Sequence, residues 1–295
     1  MTSAAGVPQE ISRLSADAGI RAWVHARRLG PAPASVDHHG SRSVPMASLY
    51  KLPLAACWSD LVAAGVLDPL ARTRLDTDGR APGPTGTSTL SDAVEVSQRD
   101  AVRLMLALSD NGAAEHLLGL VGLGRLEQWL ADHGLRDTAA RRGSLASWRA
   151  VAAETGGGDP ALAPLRLADT DTDVRTSEYD AALSSATTAV DLVAVLALLW
   201  DHARHEHVRS SMRLQAWRHR VGSGFPHDDV AVHGKTGTLG RLRHEAAVVE
   251  FPGEHPVAVA VLTKSARPEI HQPRVDATIG EIARVAVTAL RRSRD

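Results

Sequence analysis

The hydrophobic pattern is clearest in the C-terminal part of the chain, where short apolar runs alternate with turn residues. The segments DVAVHGKTGTL (229–239), HEAAVVEFPG (244–253) and HPVAVAVLTKS (255–265) each have the length and the β-branched content of a strand. Only short turns separate them, so neighbouring strands are expected to run antiparallel. The segment DATIGEIARVAVTALRR (276–292) has apolar residues at helical spacing and predicts a closing helix.

The N-terminal part of the chain shows a similar pattern on a smaller scale. A helix is predicted over PQEISRLSADAG (8–19), and two strands follow, GIRAWVHARRL (19–29) and ASVDHHGSRSV (34–44), joined by the turn-rich GPAP. Because strands occur at both ends of the chain with helices between them, one antiparallel sheet built from both termini is expected.

The middle of the chain is predicted to be helical. Apolar residues recur at helical spacing in five segments: 48–65, 90–110, 113–122, 125–134 and 188–205. Residues 154–180 are rich in Gly, Pro and Asp and have little periodicity, which predicts a long loop that is functional or mobile. The whole pattern predicts an α+β fold: a sheet lobe from residues 1–45 and 217–295, and an inserted all-α lobe from residues 46–216 with an extended loop region at 140–180.

Composition excludes several classes of protein. The 295 residues are 44% hydrophobic and 23% charged, as in soluble globular proteins, and a net charge of −1 does not favour nucleic acid or an acidic membrane surface. The single cysteine, Cys57, cannot form an internal disulfide, and its apolar neighbours predict a buried thiol. The first twenty residues lack a basic start followed by an apolar run. We therefore expect a cytoplasmic protein, exported only if Met1 is not the true start.

Lysine and asparagine are unusually scarce. Only three of the 33 basic residues are lysine, and Asn111 is the single asparagine. Three motifs use these rare residues, in the order Ser48-x-x-Lys51, Ser109-Asp110-Asn111 and Lys235-Thr236-Gly237. With this composition, the three motifs occur together by chance in roughly one chain in 50,000. The set therefore predicts one catalytic site.

The first motif has a physical rationale of its own. A serine at the start of a helix lies in a field that favours negative charge, and Lys51 lies one turn further on the same face. Lysine can lose its proton when it is desolvated, whereas arginine effectively cannot. Lys51 can then accept the proton of the Ser48 hydroxyl. The alternative for an isolated motif is a helix cap followed by a lysine that extends to the surface.

The motifs, their spacing and the strands that follow Lys235 resemble those of class A β-lactamases and penicillin-binding proteins, from about residue 15 to residue 290. This resemblance implies an all-α lobe inserted in an α/β lobe, with the site in the cleft between them. Ser48 would form the acyl-enzyme, Ser109 would relay a proton to the leaving nitrogen, and Asn111 would hold Lys51 and the substrate amide. Asp110 would brace its loop.

The resemblance also implies how a substrate carboxylate is held. Lys235 and Thr236 would attract and bind it, and Gly237 would let the substrate backbone approach the strand closely. The backbone N–H groups of Ser48 and Thr238 would form the oxyanion hole. Arg243 on the next strand is either a second contact to the carboxylate or a solvated arginine.

The residue that would hydrolyse the acyl-enzyme is missing from the pattern. Class A β-lactamases carry a Glu-x-x-x-Asn motif here, and the only asparagine is already used at position 111. The remaining candidates are Glu178, with Arg175 as a salt-bridge partner, Glu154 and Asp173. For each of the two glutamates the alternative is a solvated loop carboxylate.

Other residues predict no further chemistry. His202, His205 and His207 do not share one helical face, and no carboxylate or thiolate completes a zinc site with them. One of the adjacent His38 and His39 is expected to be exposed, and no role is assigned to Lys264. We expect a monomer that acts on a small molecule, without a cofactor, a metal, a nucleic acid or a membrane.

Three functions remain open. The first is a β-lactamase-like serine hydrolase that forms an acyl-enzyme at Ser48 from a β-lactam or a related carboxylate-bearing amide or ester. The second is a cytoplasmic esterase or acyltransferase of specialised metabolism that uses the same acylation machinery. The third is a β-lactam-binding protein that is acylated and deacylates slowly, which fits the missing Glu-x-x-x-Asn motif.

Overall fold

A five-stranded antiparallel sheet is built from both ends of the chain. The structure is a computed structural model that describes residues 6–171 and 173–294. Its strands are β1 (Ile20–Arg28), β2 (Ser35–His38), β3 (Val44–Pro45), β4 (Arg72–Leu75), β5 (Val94–Ser97), β6 (Ala186–Thr187), β7 (Ala231–Leu239), β8 (Leu242–Glu250) and β9 (Val257–Ser265). The order in the large sheet is β2-β1-β9-β8-β7, and β1 pairs with β9 along its whole length. The predicted α+β fold with a sheet from both termini is confirmed.

Helices cover both faces of this sheet. They are α1 (Val7–Asp17), α2 (Lys51–Ala63), α3 (Gln98–Ala107), α4 (Asn111–Val121), α5 (Leu123–Asp132), α6 (Ser144–Glu154), α7 (Ala163–Leu167), α8 (Ala189–Asp201), α9 (Glu206–Arg213) and α10 (Pro273–Thr288). Helix α3 begins where the Ser97 hydroxyl accepts a hydrogen bond from the Asp100 N–H, and Thr188 caps α8 in the same way. Across residues 6–171 and 173–294, no helix combines the length and the apolar character that a membrane crossing requires.

Strands β8 and β9 explain the long apolar runs near the C-terminus. Successive side chains point to opposite faces of a strand, so a strand that is covered on both sides is apolar at nearly every position. Ala247 and Val259 pack with α1 and α10, whereas their neighbours Ala246 and Ala260 pack into the core formed by α2–α5, α8 and α9. The sheet thus separates two cores, and the helical core lies on the face next to α2.

Two pairs of short strands were not predicted. Residues 94–97, within the predicted helix 90–110, form β5, which pairs with β4 before α3 begins at Gln98. The sequence VEVS alternates between apolar and polar residues, as expected for a strand. These four residues directly precede a longer helical pattern, however, so the pattern predicts a helix that includes them. Strands β3 and β6 contain two residues each, too few for a periodic signal. Their pairing matters because β3 ends directly before the segment that carries Ser48.

The predicted loop at 154–180 contains more regular structure than expected. Helix α6 lies within the region 140–180, and α7 follows between the 3-10 turns Pro160–Leu162 and Ser177–Tyr179. Few side chains of α6 are buried, so its sequence has little apolar periodicity. Similarly, the predicted helix 188–205 ends at Asp201, and α9 follows after a 3-10 turn, Ala203–His205.

Candidate active site

Ser48 lies on a 3-10 turn, Ala47–Tyr50, that leads directly into α2 at Lys51. Ala47 has φ of 46°, a left-handed conformation that is uncommon outside glycine, so the backbone before Ser48 is strained. The Ser48 side chain is partly exposed, whereas Lys51 is completely buried. The turn therefore leaves Ser48 partly exposed, whereas Lys51, one helical turn further, enters the interior.

The amine of Lys51 is held by the Ser109-Asp110-Asn111 segment. Its Nζ donates to the Ser109 carbonyl oxygen and to Asn111 Oδ1, both at 2.7 Å, and lies 3.4 Å from Ser109 Oγ. Burial lowers the pKa of Lys51 to about 7, although the charges of Asp110 and Glu115 oppose the change. A large fraction of Lys51 is therefore neutral at pH 7, as a general base must be.

Asp110 fixes the segment that holds Lys51. It is the N-cap of α4, where its Oδ1 accepts from the Ala113 N–H. The same carboxylate accepts hydrogen bonds from the N–H and the hydroxyl of Thr87, at 2.7 and 2.9 Å. The Asn111 amide donates to the Pro82 carbonyl oxygen at 2.6 Å, so both residues tie α4 to the loop between β4 and β5.

The Ser109 hydroxyl lies between two lysines. Lys235 on β7 is fully buried, and its Nζ donates to Ser109 Oγ at 2.8 Å and to the Thr236 carbonyl oxygen at 2.7 Å. Burial lowers the pKa of Lys235 well below its ordinary value, and the charges of Lys51 and Arg220 lower it further. The three sequence motifs therefore meet at one hydroxyl that can pass a proton.

Gly237 lies against the turn that carries Ser48. A Cβ atom at this position would lie 3.1 Å from both the Met46 carbonyl oxygen and Leu49 Cγ. A side chain here would crowd the turn that carries Ser48, which packs against the strand, and the close approach of a substrate backbone stays a prediction. Thr236 is buried and Thr238 is exposed at the neighbouring positions of β7.

Arg243 is bound to a carboxylate of the protein itself. It is buried on β8, where its Nε and Nη2 donate to the two oxygens of Asp276, at 2.9 and 2.6 Å. Its Nη1 donates to the Ile270 carbonyl oxygen at 3.0 Å. Arg243 is therefore not a solvated arginine, whereas its contact with a substrate carboxylate stays a prediction.

Arg220 is the arginine that approaches the site. Its Nη2 donates to Thr238 Oγ1 at 2.7 Å, and its Nη1 lies 3.1 Å from the Gly237 carbonyl oxygen. Its Nε donates to Asp276 at 2.7 Å, so Asp276 binds two buried guanidinium groups. No motif marks Arg220 in a chain so rich in arginine, and only its position in the fold reveals it.

The candidate deacylating carboxylates are engaged elsewhere. Glu154 accepts hydrogen bonds from the Thr176 hydroxyl and the Ser177 N–H, and so closes the loop that follows α7. The side chain of Asp173 is 72% exposed and lies 3.4 Å from Arg241. Within the described residues, neither carboxylate contacts Ser48 or Lys51.

Glu178 is buried, contrary to the solvated alternative. Its ionic partner is Arg142, whose Nη1 lies 3.3 Å from Glu178 Oε1, whereas Arg175 lies 3.9 Å from Asp173. Burial raises the pKa of Glu178, and the charge of Arg142 opposes that change. In the described part of the chain Glu178 also makes no contact with Ser48 or Lys51.

The first turn of α6 packs against Tyr50 and Glu115. The buried Tyr50 hydroxyl and Ser144 Oγ are hydrogen-bonded at 2.9 Å, and the Leu145 N–H donates to Glu115 Oε1 at 2.9 Å. A Cβ atom at Gly143 would collide with the same Glu115 oxygen. Glu115 is therefore a fixed carboxylate on α4 whose charge acts on Lys51, and sequence reasoning missed it because no motif marks it.

The other residues considered from sequence have structural surroundings. Cys57 is buried, which raises its pKa to about 11, and Lys264 lies over the Tyr179 ring at 5.0 Å. Burial lowers the pKa of His205 to about 4. Of the His, Cys, Asp and Glu residues that the structure describes, no three are grouped so that they could hold a metal ion.

Comparison with known proteins decides the family. The family model described as "Beta-lactamase enzyme family" matches residues 6–290. The chain belongs to the β-lactamase enzyme family. A curated relative, the β-lactamase regulatory protein BlaB of Streptomyces cacaoi, is 30% identical over 262 residues, which are 82% of this chain and 84% of BlaB.

Solved structures of the β-lactamase family share this fold. A β-lactamase from Sphaerobacter thermophilus superposes with a TM-score of 0.76 at 23% identity, over 98% of each chain. The protein PBP-A superposes with a TM-score of 0.74 at 19% identity, over 96% of this chain and 95% of PBP-A. At these identities the likeness shows the fold alone.

Proposed function

We propose that the protein reacts with a β-lactam, or a related carboxylate-bearing amide or ester, to form a long-lived acyl-enzyme at Ser48. This proposal rests on the burial of Lys51 and on its lowered pKa. Lys51 is completely buried one turn after the partly exposed Ser48, and burial lowers its pKa to about 7. A neutral amine in this position is a base for the serine hydroxyl.

The acylation step can be written with the groups in place. Lys51 Nζ takes the proton of Ser48 Oγ, and the oxygen attacks the carbonyl carbon of the substrate. The backbone N–H groups of Ser48 and Thr238 stabilise the resulting oxyanion. The C–N bond then breaks, and the proton moves from Lys51 through the Ser109 hydroxyl to the leaving nitrogen. The contacts of Ser109 with both lysines, at 3.4 and 2.8 Å, support this route.

The substrate carboxylate would bind beside β7. Lys235 supplies a point charge, and the Thr236 and Thr238 side chains supply hydroxyl groups. Arg220 replaces Arg243 as the arginine of this subsite, because it already donates to Thr238 Oγ1. A carboxylate at Thr238 would lie within reach of the guanidinium.

The positions of the three candidate deacylating carboxylates favour slow deacylation. Glu154 holds a loop, Glu178 pairs with Arg142, and Asp173 is exposed. A long-lived adduct suits a protein that reports the presence of a β-lactam, and the relative from Streptomyces cacaoi is named a regulatory protein. Rapid hydrolysis is the second candidate, favoured by Glu115, a carboxylate on α4 whose charge acts on Lys51.

Incubation of the protein with a chromogenic cephalosporin distinguishes these functions when colour release and the intact mass of the protein are followed over time. We expect a stoichiometric adduct that persists after one equivalent of colour, and no adduct in Ser48→Ala. Steady turnover that is lost in Ser48→Ala would establish the hydrolase, and turnover in Glu115→Gln would then test Glu115. If folded wild-type protein gives neither colour nor adduct, the β-lactam proposal is wrong and an esterase or acyltransferase remains.

The pH dependence of acylation provides a further prediction. Because burial lowers the pKa of Lys51 to about 7, the neutral base is the minor form below that pH. The acylation rate constant at saturating β-lactam should therefore rise about tenfold between pH 6 and pH 8. Stopped-flow measurements with the chromogenic cephalosporin provide the profile. A rate that is flat over this range would show that Lys51 is not the group that accepts the proton.

A further inference from the structure

A third apolar cluster is separate from the two large cores and joins the loop region at 140–180 to the sheet. Its buried members come from α6 and α7 on one side and from β7 and β8 on the other. They are Val151, Ala152, Ala163, Leu167, Leu239 and Leu242, and the partly buried Ala47, Trp148, Val174 and Tyr179 pack against them. The helices of the loop region are therefore packed onto the sheet at its β7–β8 side.

Two residues of this cluster are chain neighbours of the proposed oxyanion-hole residues. Ala47 directly precedes Ser48, and Leu239 directly follows Thr238 on β7. Ala47 has φ of 46°, and such a conformation persists only where the surrounding structure holds it. One cluster therefore contacts the chain beside both N–H groups that would bind the oxyanion.

Leu167 and Tyr179 pack against the turn between β7 and β8. A Cβ atom at Gly240 would lie 3.2 Å from the Leu167 Cβ atom and would collide with the Tyr179 hydroxyl. That hydroxyl accepts a hydrogen bond of 3.1 Å from the Arg241 N–H. Leu167 is fully buried, whereas Leu165 on the same helix is 60% exposed. The loop region is therefore seated on the end of the β7–β8 hairpin through one face of α7.

Hydrogen bonds also brace the parts of the loop region that make these contacts. The Glu154 carboxylate at the end of α6 accepts from the Thr176 hydroxyl and the Ser177 N–H, at 2.6 and 2.8 Å. Arg166 on α7 donates to backbone carbonyl oxygens of the chain that follows α6. The helices α6 and α7 and the turn Ser177–Tyr179 are here called the clamp. The clamp is therefore tied together as well as packed onto the hairpin.

We propose that the clamp sets the geometry of the oxyanion hole, with Leu167 as a positioning residue. By packing against the chain beside Ser48 and beside Thr238, it fixes the distance between their two N–H groups. Such donors stabilise an oxyanion only when they lie about 2.7–3.1 Å from the charged oxygen, so a small displacement of either segment slows the reaction. The effect on acylation rests on the proposed function, whereas the effect on the two segments does not.

Leu167→Ala removes buried volume from the clamp without changing a residue of the site. With benzylpenicillin, the acylation rate constant at saturation should fall roughly 10–100-fold. The apparent dissociation constant of the complex that precedes acylation should change by less than about threefold, because Lys235 and Thr236 are not members of the cluster. An unchanged rate constant in the folded variant would overturn the proposal. A change in the dissociation constant alone would also overturn it, because the clamp would then serve substrate binding.

Leu165→Ala is the matched control, because it makes the same change at an exposed position of the same short helix. Its acylation kinetics should equal those of wild type. Leu167→Val is the second variant in case Leu167→Ala does not fold, and its smaller loss of volume should still lower the rate constant about threefold. Thermal unfolding verifies that each variant is folded at the temperature of the assay.

Amide hydrogen exchange, measured by mass spectrometry, tests the clamp without a substrate. Peptides that cover residues 46–50 and 236–241 should exchange at least about tenfold faster in Leu167→Ala than in wild type or Leu165→Ala. Peptides from α10, which packs on the other face of the sheet, should be unchanged. Unchanged exchange in both active-site segments would overturn the proposal, whether or not the protein reacts with β-lactams. If wild type forms no adduct, the proposed function fails, and exchange alone decides the role of the clamp.

Discussion

Acylation of Ser48 should fall by about 10²–10⁴-fold when Lys51 is replaced by arginine, the range that a positioned general base contributes. Arginine keeps a positive charge and a long side chain, but it does not lose its proton in proteins. Lys51 is buried and hydrogen-bonded to the Ser109 carbonyl oxygen and Asn111, so its amine can be neutral near pH 7. Intact-mass measurements during incubation with a chromogenic cephalosporin give the rate directly.

The matched control is Lys264→Arg, which makes the same change outside the site. Lys264 lies over the Tyr179 ring, where a guanidinium can also stack, and acylation should be unaffected. Thermal unfolding of both variants checks that each is folded. Acylation at the wild-type rate in folded Lys51→Arg would falsify the assignment of Lys51 as the base.

Asp276→Asn should destabilise the protein by about 3–5 kcal/mol, the cost of removing one partner from a buried ionic group. Asp276 accepts hydrogen bonds from Arg220 and Arg243, and all three side chains are buried. Asparagine can still accept one hydrogen bond, but it leaves two guanidinium charges without a carboxylate. Urea unfolding at pH 7, followed by circular dichroism, measures the free energy of unfolding.

Asp17→Asn is the control for this effect. Asp17 forms an exposed ion pair with Arg13, and loss of such a pair costs about 0–1 kcal/mol. Burial alone would raise the pKa of Asp276, but the hydrogen bond from Arg243 and the charge of Arg220 hold it below its ordinary value. Its stabilising contribution is therefore present above the ordinary pKa of aspartate and is lost as pH falls. Equal losses of stability in the two variants would contradict this account.

Much of the site could be predicted because rare residues mark it. Lys51, Asn111 and Lys235 stand out in a chain with three lysines and one asparagine. The fold brings the two lysines to the Ser109 hydroxyl, and Asn111 binds Lys51. The sheet could be predicted for a similar reason, since strands buried on both faces leave long apolar runs such as HPVAVAVLTKS.

The arginines show where prediction from one sequence fails. Arg220 and Arg243 have similar local sequence signals, yet the structure directs only Arg220 toward Thr238. Asp276 on the last helix binds both guanidinium groups, and only the further contact of Arg220 with Thr238, distant in sequence, distinguishes the two. The close packing of Gly237 against the turn that carries Ser48 is likewise a long-range contact that no local pattern indicates.

The pairing of β1 with β9 has a consequence for biosynthesis. Ile20 pairs with Ser265, so nearly the whole chain must leave the ribosome before the central strand partners can meet. At usual rates of translation, the N-terminal hairpin waits on the order of ten seconds or more with one strand edge open. Such an edge can pair with other chains, and a contact of this sequence separation closes slowly. Yield in the cell therefore depends on whatever protects the nascent hairpin during that delay.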